Sequence, residues 1–224
     1  YMPNGRVIQG PDFHHDGQHF SKAYGIKFLD KDGKEKFAWQ NTFAISTRML
    51  GVMFAVHSDS KGLILPPNVA PIQIVIVPIL FYDSKEKVLK AAREIANKLG
   101  DRVFVDERGE YKPGYKFNEW ELKGVPLRIE IGPKDLEAKK VVVVRRDNGN
   151  KENVALKDVK EKVSELLAEI QQDLFSRAKE TLEGAIVSVN SLKDLKKAVA
   201  DKKIGFASLC SSLECEDKLK FESG

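Results

Sequence analysis

The apolar positions of this chain change their period near residue 70. Before it, short apolar stretches alternate with turn signals. The polar loop at residues 30–34 separates Ile26 and Phe28 from Phe37 and Trp39, two alternating, aromatic-bearing flanks that predict a hairpin. Residues 47–57 are apolar at helical spacing, with Ser46 or Thr47 placed to cap them. Leu63, Ile64 and Leu65 predict a short strand, stopped by Pro66 and Pro67. Beyond Pro71, residues 72–79 are almost continuously apolar and β-branched, as in a strand buried on both faces. A helix follows from Ser84 to Leu99, closed by Gly100. Segments at 102–105, 117–122, 126–131 and 141–145 continue as strands alternating with helices. A long charged amphipathic helix spans 157–182, and a short one lies around 192–199. This alternation predicts an α/β domain with a mostly parallel or mixed sheet, bounded by the proline-rich stretch 66–71.

Length narrows this to one or two domains, at about 150 residues each for 224 residues. Hydrophobic residues at 42% and charged residues at 31% suit a soluble folded chain. The net charge of +4 is compatible with nucleic acid but does not establish it. Two cysteines and three methionines exclude a disulfide scaffold. There is no run of 18 apolar residues for a membrane span, and residues 1–5 lack the basic and apolar regions of a secretory leader. A cytoplasmic protein is expected.

Four stretches are more specific. Residues 61–73, Lys-Gly-Leu-Ile-Leu-Pro-Pro-Asn-Val-Ala-Pro-Ile-Gln, resemble the third signature motif of prolyl-tRNA synthetase. Asp106, Glu107 and Arg108, then residues 113–128 and Gly132, Pro133, Lys134 and Asp135, resemble that family's anticodon-binding domain almost letter for letter. Gln9, Gly10, His14, His15, Gly17, Gln18 and Phe20 look like its proline-pocket loop. Cys210 and Cys215 look like the first half of its C-terminal zinc knuckle. The four occur in the family's order, and the resemblance is to the archaeal and eukaryotic type.

The resemblance implies a remnant of a class II antiparallel catalytic sheet over residues 1–69. An anticodon-binding domain with a mixed five-stranded sheet follows over 70–184, then the start of a small α+β zinc-type domain over 185–224. It implies a parent that uses ATP and magnesium to attach proline to its tRNA and that works as a homodimer, with no DNA or membrane partner. The family's first two signatures are absent, so this chain alone is not expected to make prolyl-adenylate. The implied catalytic positions are His14, Gln18, Arg48 and Asn68. Asn68 stands where the family has an arginine on ATP, and asparagine lacks the charge and the planar fork; the residue itself reads more readily as a turn residue after Pro66 and Pro67. Pro11, Asp12 and Phe13 replace the family's Gly-Thr-Ser before His14, and Phe43 and Ala44 replace its Trp-Gly. His57, Ser58, Asp59 and Ser60 stand where the family has His-Gly-Asp-Asp. A catalytically silent paralogue, serving as a tRNA-binding or protein-interaction module, is the alternative.

Reading unpaired bases requires cations for phosphate, aromatic platforms, and donors or acceptors for base edges. Glu107, Arg108, Lys116, Trp120, Glu121, Arg128 and Lys134 supply these types, joined by Phe117, Arg145 and Arg146. Carboxylates suit guanine, which offers N1–H and N2–H donors, and the family reads two guanines. Residues 101–150 hold eleven Lys/Arg against ten Asp/Glu, a balance that composition alone would assign to a solvated face. Cys210 and Cys215 are two thiolates short of a tetrahedral zinc site. His14, His15 and His19 crowd one segment, but no cysteine or carboxylate pair at ligand spacing completes a metal set there.

Overall fold

The computed structural model describes every residue except Ser211 and Gly224, which fall within the stretch assigned to the zinc-type domain. The chain divides into two units, residues 1–53 and 54–224.

In the first unit, β1 (Asp12–Gly17) pairs antiparallel with β4 (Gln40–Ala44), setting Phe13 opposite Phe43 and His14 opposite Thr42. Between them lie α1 (His19–Tyr24) and the hairpin of β2 (Lys27–Leu29) with β3 (Glu35–Phe37). Gly33 turns that hairpin at φ 74°, a left-handed conformation that favours glycine. The hairpin is where the aromatic-flanked polar loop predicted it. The division between units falls within α2 (Arg48–His57), the helix expected at 47–57.

The second unit is built on a five-stranded mixed sheet. Its strands are β5 (Ile74–Pro78), β6 (Val103–Val105), β7 (Leu127–Ile131), β8 (Lys140–Arg145) and β9 (Lys151–Ala155), in the order β6-β5-β7-β8-β9. β5 runs parallel to both neighbours, and β7, β8 and β9 are mutually antiparallel. All five residues of β5 are buried, because helices pack on both of its faces. On one face α3 (Lys85–Leu99) and α6 (Val159–Glu183) bury Val88, Ala92, Ile95, Val163, Leu166, Ile170 and Leu174 against Ile74, Ile76, Leu127, Ile129, Val141 and Val143. On the other, α4 (Pro113–Leu122) sets Trp120 and Phe117 on Val75 and Val77. α5 (Pro133–Glu137) follows β7. Past α6, β10 (Ile186–Ser188) and β11 (Ile204–Phe206) pair in parallel across α7 (Leu192–Ala200), whose N-cap Ser191 accepts from the Asp194 N–H. α8 (Leu213–Ser223) ends the described chain.

Two expectations are corrected. Residues 117–122 are the second half of α4, not a strand: Pro113 occupies the first helical turn, where its missing N–H costs nothing. Leu63, Ile64 and Leu65 are extended but join no sheet. Their partners are the end of α4 and the turn after it, where the Leu63 and Leu65 N–H groups donate to the Leu122 and Gly124 carbonyls. These two carbonyls belong to a helix end and the turn after it, so no strand ladder forms.

Candidate nucleic-acid interface

β7 reads Leu-Arg-Ile-Glu-Ile, and its two-residue period splits it cleanly. Leu127, Ile129 and Ile131 enter the core under α3 and α6, so Arg128 and Glu130 emerge on the α4 side. The same alternation places Val142 and Val144 of β8, then Lys151 and Asn153 of β9, on that side; Val142 pairs with Asn153 and Val144 with Lys151. Arg128 is only 7% exposed and is held between two carboxylates. It donates from Nε to Glu130 at 3.0 Å and from Nη1 to Glu121 at 3.2 Å. Its guanidinium lies 4.3 Å from the centre of the Phe117 ring. Lys151 reaches Glu130 at 4.0 Å. The result is a small acid–base–aromatic cluster on a sheet face, with carboxylates to accept base N–H groups and a cation between them.

A second cluster is closed. Asp106 follows β6 and is almost wholly buried. Its carboxylate accepts from Arg108 Nε and Nη2 at 2.8 and 2.7 Å and from Trp120 Nε1 at 2.9 Å. Lys116 donates to its backbone carbonyl at 2.9 Å. Burial pushes the Asp106 carboxyl up, but the Arg108 and Trp120 hydrogen bonds and the Lys116 charge outweigh it and hold the group well below the usual carboxylate range. Arg108 also binds Glu119 at 2.6 Å, and these two carboxylates raise its own pKa. Lys116, only 2% exposed, and Trp120 therefore spend their polar groups inside the protein.

The seven residues expected to meet tRNA thus separate. Glu121 and Arg128 meet on the sheet face. Arg108, Lys116 and Trp120 meet around Asp106. Glu107 is tied to Arg93 of α3 by two hydrogen bonds of 2.7 and 2.6 Å, and that guanidinium lowers its pKa. Lys134 is exposed on α5. Glu130 and Lys151 were missed, although the alternation of residues 127–131 points at Glu130. Asp106, Glu119 and Arg93 were missed as partners.

The four catalytic positions do not come together in one unit. His14 lies on β1 with Nε2 3.5 Å from Asp12, Gln18 donates to the Phe37 carbonyl at 2.9 Å, and Arg48 is exposed at the start of α2. Asn68 lies in the second unit, in a turn where its N–H donates to Gln171 of α6 at 3.1 Å and its carbonyl accepts from Arg102 at 3.3 Å. Its place is that of a turn residue. Cys210 is exposed and Cys215 half-buried. Among the described residues no group of three or more His, Cys, Asp or Glu converges as for a metal ion, and no helix is long and apolar enough to cross a membrane.

A family model described as an anticodon binding domain matches residues 73–166, which contain both clusters. Over its whole length the chain is 45% identical to proline–tRNA ligase 2 of Bacillus thuringiensis and 43% identical to proline–tRNA ligase of Cenarchaeum symbiosum, covering 47% and 48% of them. The chain belongs with the prolyl-tRNA synthetases, as a C-terminal part. Among solved structures, prolyl-tRNA synthetase from Cryptosporidium parvum, crystallised with halofuginone and AMPPNP, superposes with a TM-score of 0.91 at 38% identity, over 98% of this chain and 45% of that one. The chain spans about half the length of the curated synthetases it matches. The mixed five-stranded sheet is thus that of a synthetase anticodon-binding domain.

Proposed function

We propose that this chain binds proline tRNA by reading anticodon guanines on the sheet face around Arg128, as part of a longer proline–tRNA ligase. The observation that carries the reading is the placement of Arg128 between Glu121 and Glu130 on the α4 side of the sheet. Guanine offers N1–H and N2–H as donors to a carboxylate, and O6 and N7 as acceptors to a guanidinium. A base arriving here would exchange the internal Arg128–Glu121 bond for bonds to both partners. Phe117 supplies an aromatic face next to the cation, and exposed Lys134 and Lys151 supply phosphate contacts. The buried Asp106 cluster holds α4 against β6 and so fixes the side from which Glu121 projects.

Filter binding with proline tRNA transcripts tests this. Glu121→Gln, which turns one acceptor into a donor, is expected to weaken binding about 10- to 150-fold, the effect of about 1.5–3 kcal/mol from one charge-assisted hydrogen bond. Equal affinity of the unaltered chain for transcripts with substituted anticodon guanines would sink the reading.

Gln18 is committed to a backbone carbonyl, and Asp12, whose Oδ1 is buried without a hydrogen-bond partner, stands beside His14 in the segment that resembles the family's proline-pocket loop. These side chains lend no support to proline activation, and two thiols alone are two ligands short of a structural zinc site. The Phe13–Phe43 ring pair at 5.0 Å, which fills the position of the family's serine and tryptophan, favours a second reading. In it the longer protein binds tRNA without activating proline. Proline-dependent pyrophosphate exchange by the longer protein would overturn it.

A further inference from the structure

Glu121 is held in place from outside the stretch that matches the anticodon-binding family. The segment at residues 59–65 lies along the end of α4, with the Leu63 and Leu65 N–H groups on the Leu122 and Gly124 carbonyls at 3.0 and 3.1 Å. Two glycines allow that approach: a Cβ on Gly62 would stand 2.6 Å from Leu122 Cα, and one on Gly124 would stand 2.7 Å from Leu63. At the head of this strap is Asp59. Arg146, following β8, donates to Asp59 from Nη1 at 2.9 Å and from Nη2 at 2.7 Å, and its Nε donates to the backbone carbonyl of Glu121 at 2.8 Å. The Arg146 side chain is 4% exposed. One rigid guanidinium thereby joins the strap, the last turn of α4 and the end of β8, which a lysine ammonium cannot do at the same three points.

The charge matters as much as the geometry. Arg146, Glu121 and Arg128 line the same small depression. With Asp59 in place, the Arg146 charge is neutralised on the strap side, and the Glu121 carboxylate is left to Arg128. Without it, a nearly buried cation would draw that carboxylate toward itself and away from the base-reading face.

We propose that Asp59 and Arg146 are positioning residues for guanine recognition: the strap holds Glu121 through Arg146 and keeps its carboxylate directed at Arg128. This rests on the reading of the sheet face given above. It places a determinant of base specificity in the segment that precedes the anticodon-binding domain.

The test uses the full 224-residue chain and two anticodon stem-loop RNAs, one carrying guanine and one carrying inosine, which lacks the N2 amino group. Asp59→Asn and Arg146→Lys are each expected to reduce the guanine-over-inosine affinity ratio by about five- to tenfold, in the range of coupling between contacting residues. Affinity for the inosine RNA should stay nearly unchanged. Asp59→Glu, which keeps the charge, should recover part of the ratio. Equal weakening toward both RNAs would mean a purely structural contact and would overturn the proposal. Glu121→Gln separates the two levels. If it leaves the ratio unchanged, the base-reading role of Glu121 falls, and the clamp with it. If it abolishes the ratio while Asp59→Asn and Arg146→Lys keep it, the clamp alone falls.

Discussion

In the first unit the aromatic residues face solvent, whereas in the five-stranded sheet even the cations are inside. Phe13, Trp39, Phe43 and Ile45 are all more than half exposed around β1 and β4, and the ion pair of Lys36 with Asp30 lies at the surface. In the second unit Lys116, Arg128, Arg145 and Arg146 are buried and paired, and the apolar residues of β5, β7 and β8 are enclosed by α3 and α6. A two-stranded ribbon has too little apolar partner surface to bury its own aromatics. The sheet between helices has enough to bury charges as well, provided each is matched. The same residue types are therefore exposed in one unit of this chain and enclosed in the other. Each unit carries one tryptophan, Trp39 at 69% exposure and Trp120 at 6%, so single-tryptophan variants report the two separately.

The sharpest way to break the comparison is at a carboxylate. Asp106→Ala removes the shared acceptor of Arg108 and Trp120 and leaves Lys116 buried beside an uncharged site. Loss of about 3–5 kcal/mol is expected, the cost of orphaning one partner of a buried pair. It should appear in urea unfolding followed through Trp120. Asp30→Ala, which breaks an exposed pair, should leave the Trp39 signal unmoved. Comparable losses from both would mean that burial does not distinguish the two units.

Apolar truncation sharpens the same contrast at a smaller scale. Leu127→Ala, in the centre of the sheet, is expected to cost about 2–5 kcal/mol through lost transfer energy and the cavity left behind. Phe43→Ala removes a larger side chain, but one that is 78% exposed, and should fall within about 0.5 kcal/mol. A large loss at Phe43 would show that its ring pair with Phe13 is a packed contact.

How much of this was legible in the chain depends on the range of the interactions. β5 could be read because residues 72–79 are almost continuously apolar, and α3 because Ser84 and Gly100 mark its ends. β9 was not read: Lys151, Glu152 and Asn153 look like loop, since a strand at the sheet's edge needs only Val154 for the core. At the site, residue type and family pattern pointed to Glu121, Arg128 and Lys134, but not to which cations would be free. Lys116 goes inside because Asp106, ten residues earlier, folds back to meet it, and Arg146 because Asp59 lies 87 residues away. No local pattern encodes such pairings; only the tertiary fold brings them together.

Acid gives the smallest effect and the finest test. Arg146's hydrogen bonds hold the Asp59 carboxyl at about 2, against an ordinary value of 3.8. A folded-state pKa below the unfolded one adds stability above the unfolded pKa, and that stability is lost as pH falls through the folded value. The Trp120 unfolding midpoint should therefore decline from about pH 5 toward pH 2. Asp59→Asn should remove part of that slope and leave the part due to Asp106, which is depressed in the same direction. Asp30 is also depressed, by Lys36, but at the surface. Any acid response of Trp39 should accordingly fade in 1 M salt, where screening acts within about 3 Å, while the Trp120 response persists. If Asp59→Asn leaves the Trp120 slope intact, the ion pair with Arg146 does not hold in solution, and the strap is fastened to α4 by its two backbone hydrogen bonds alone.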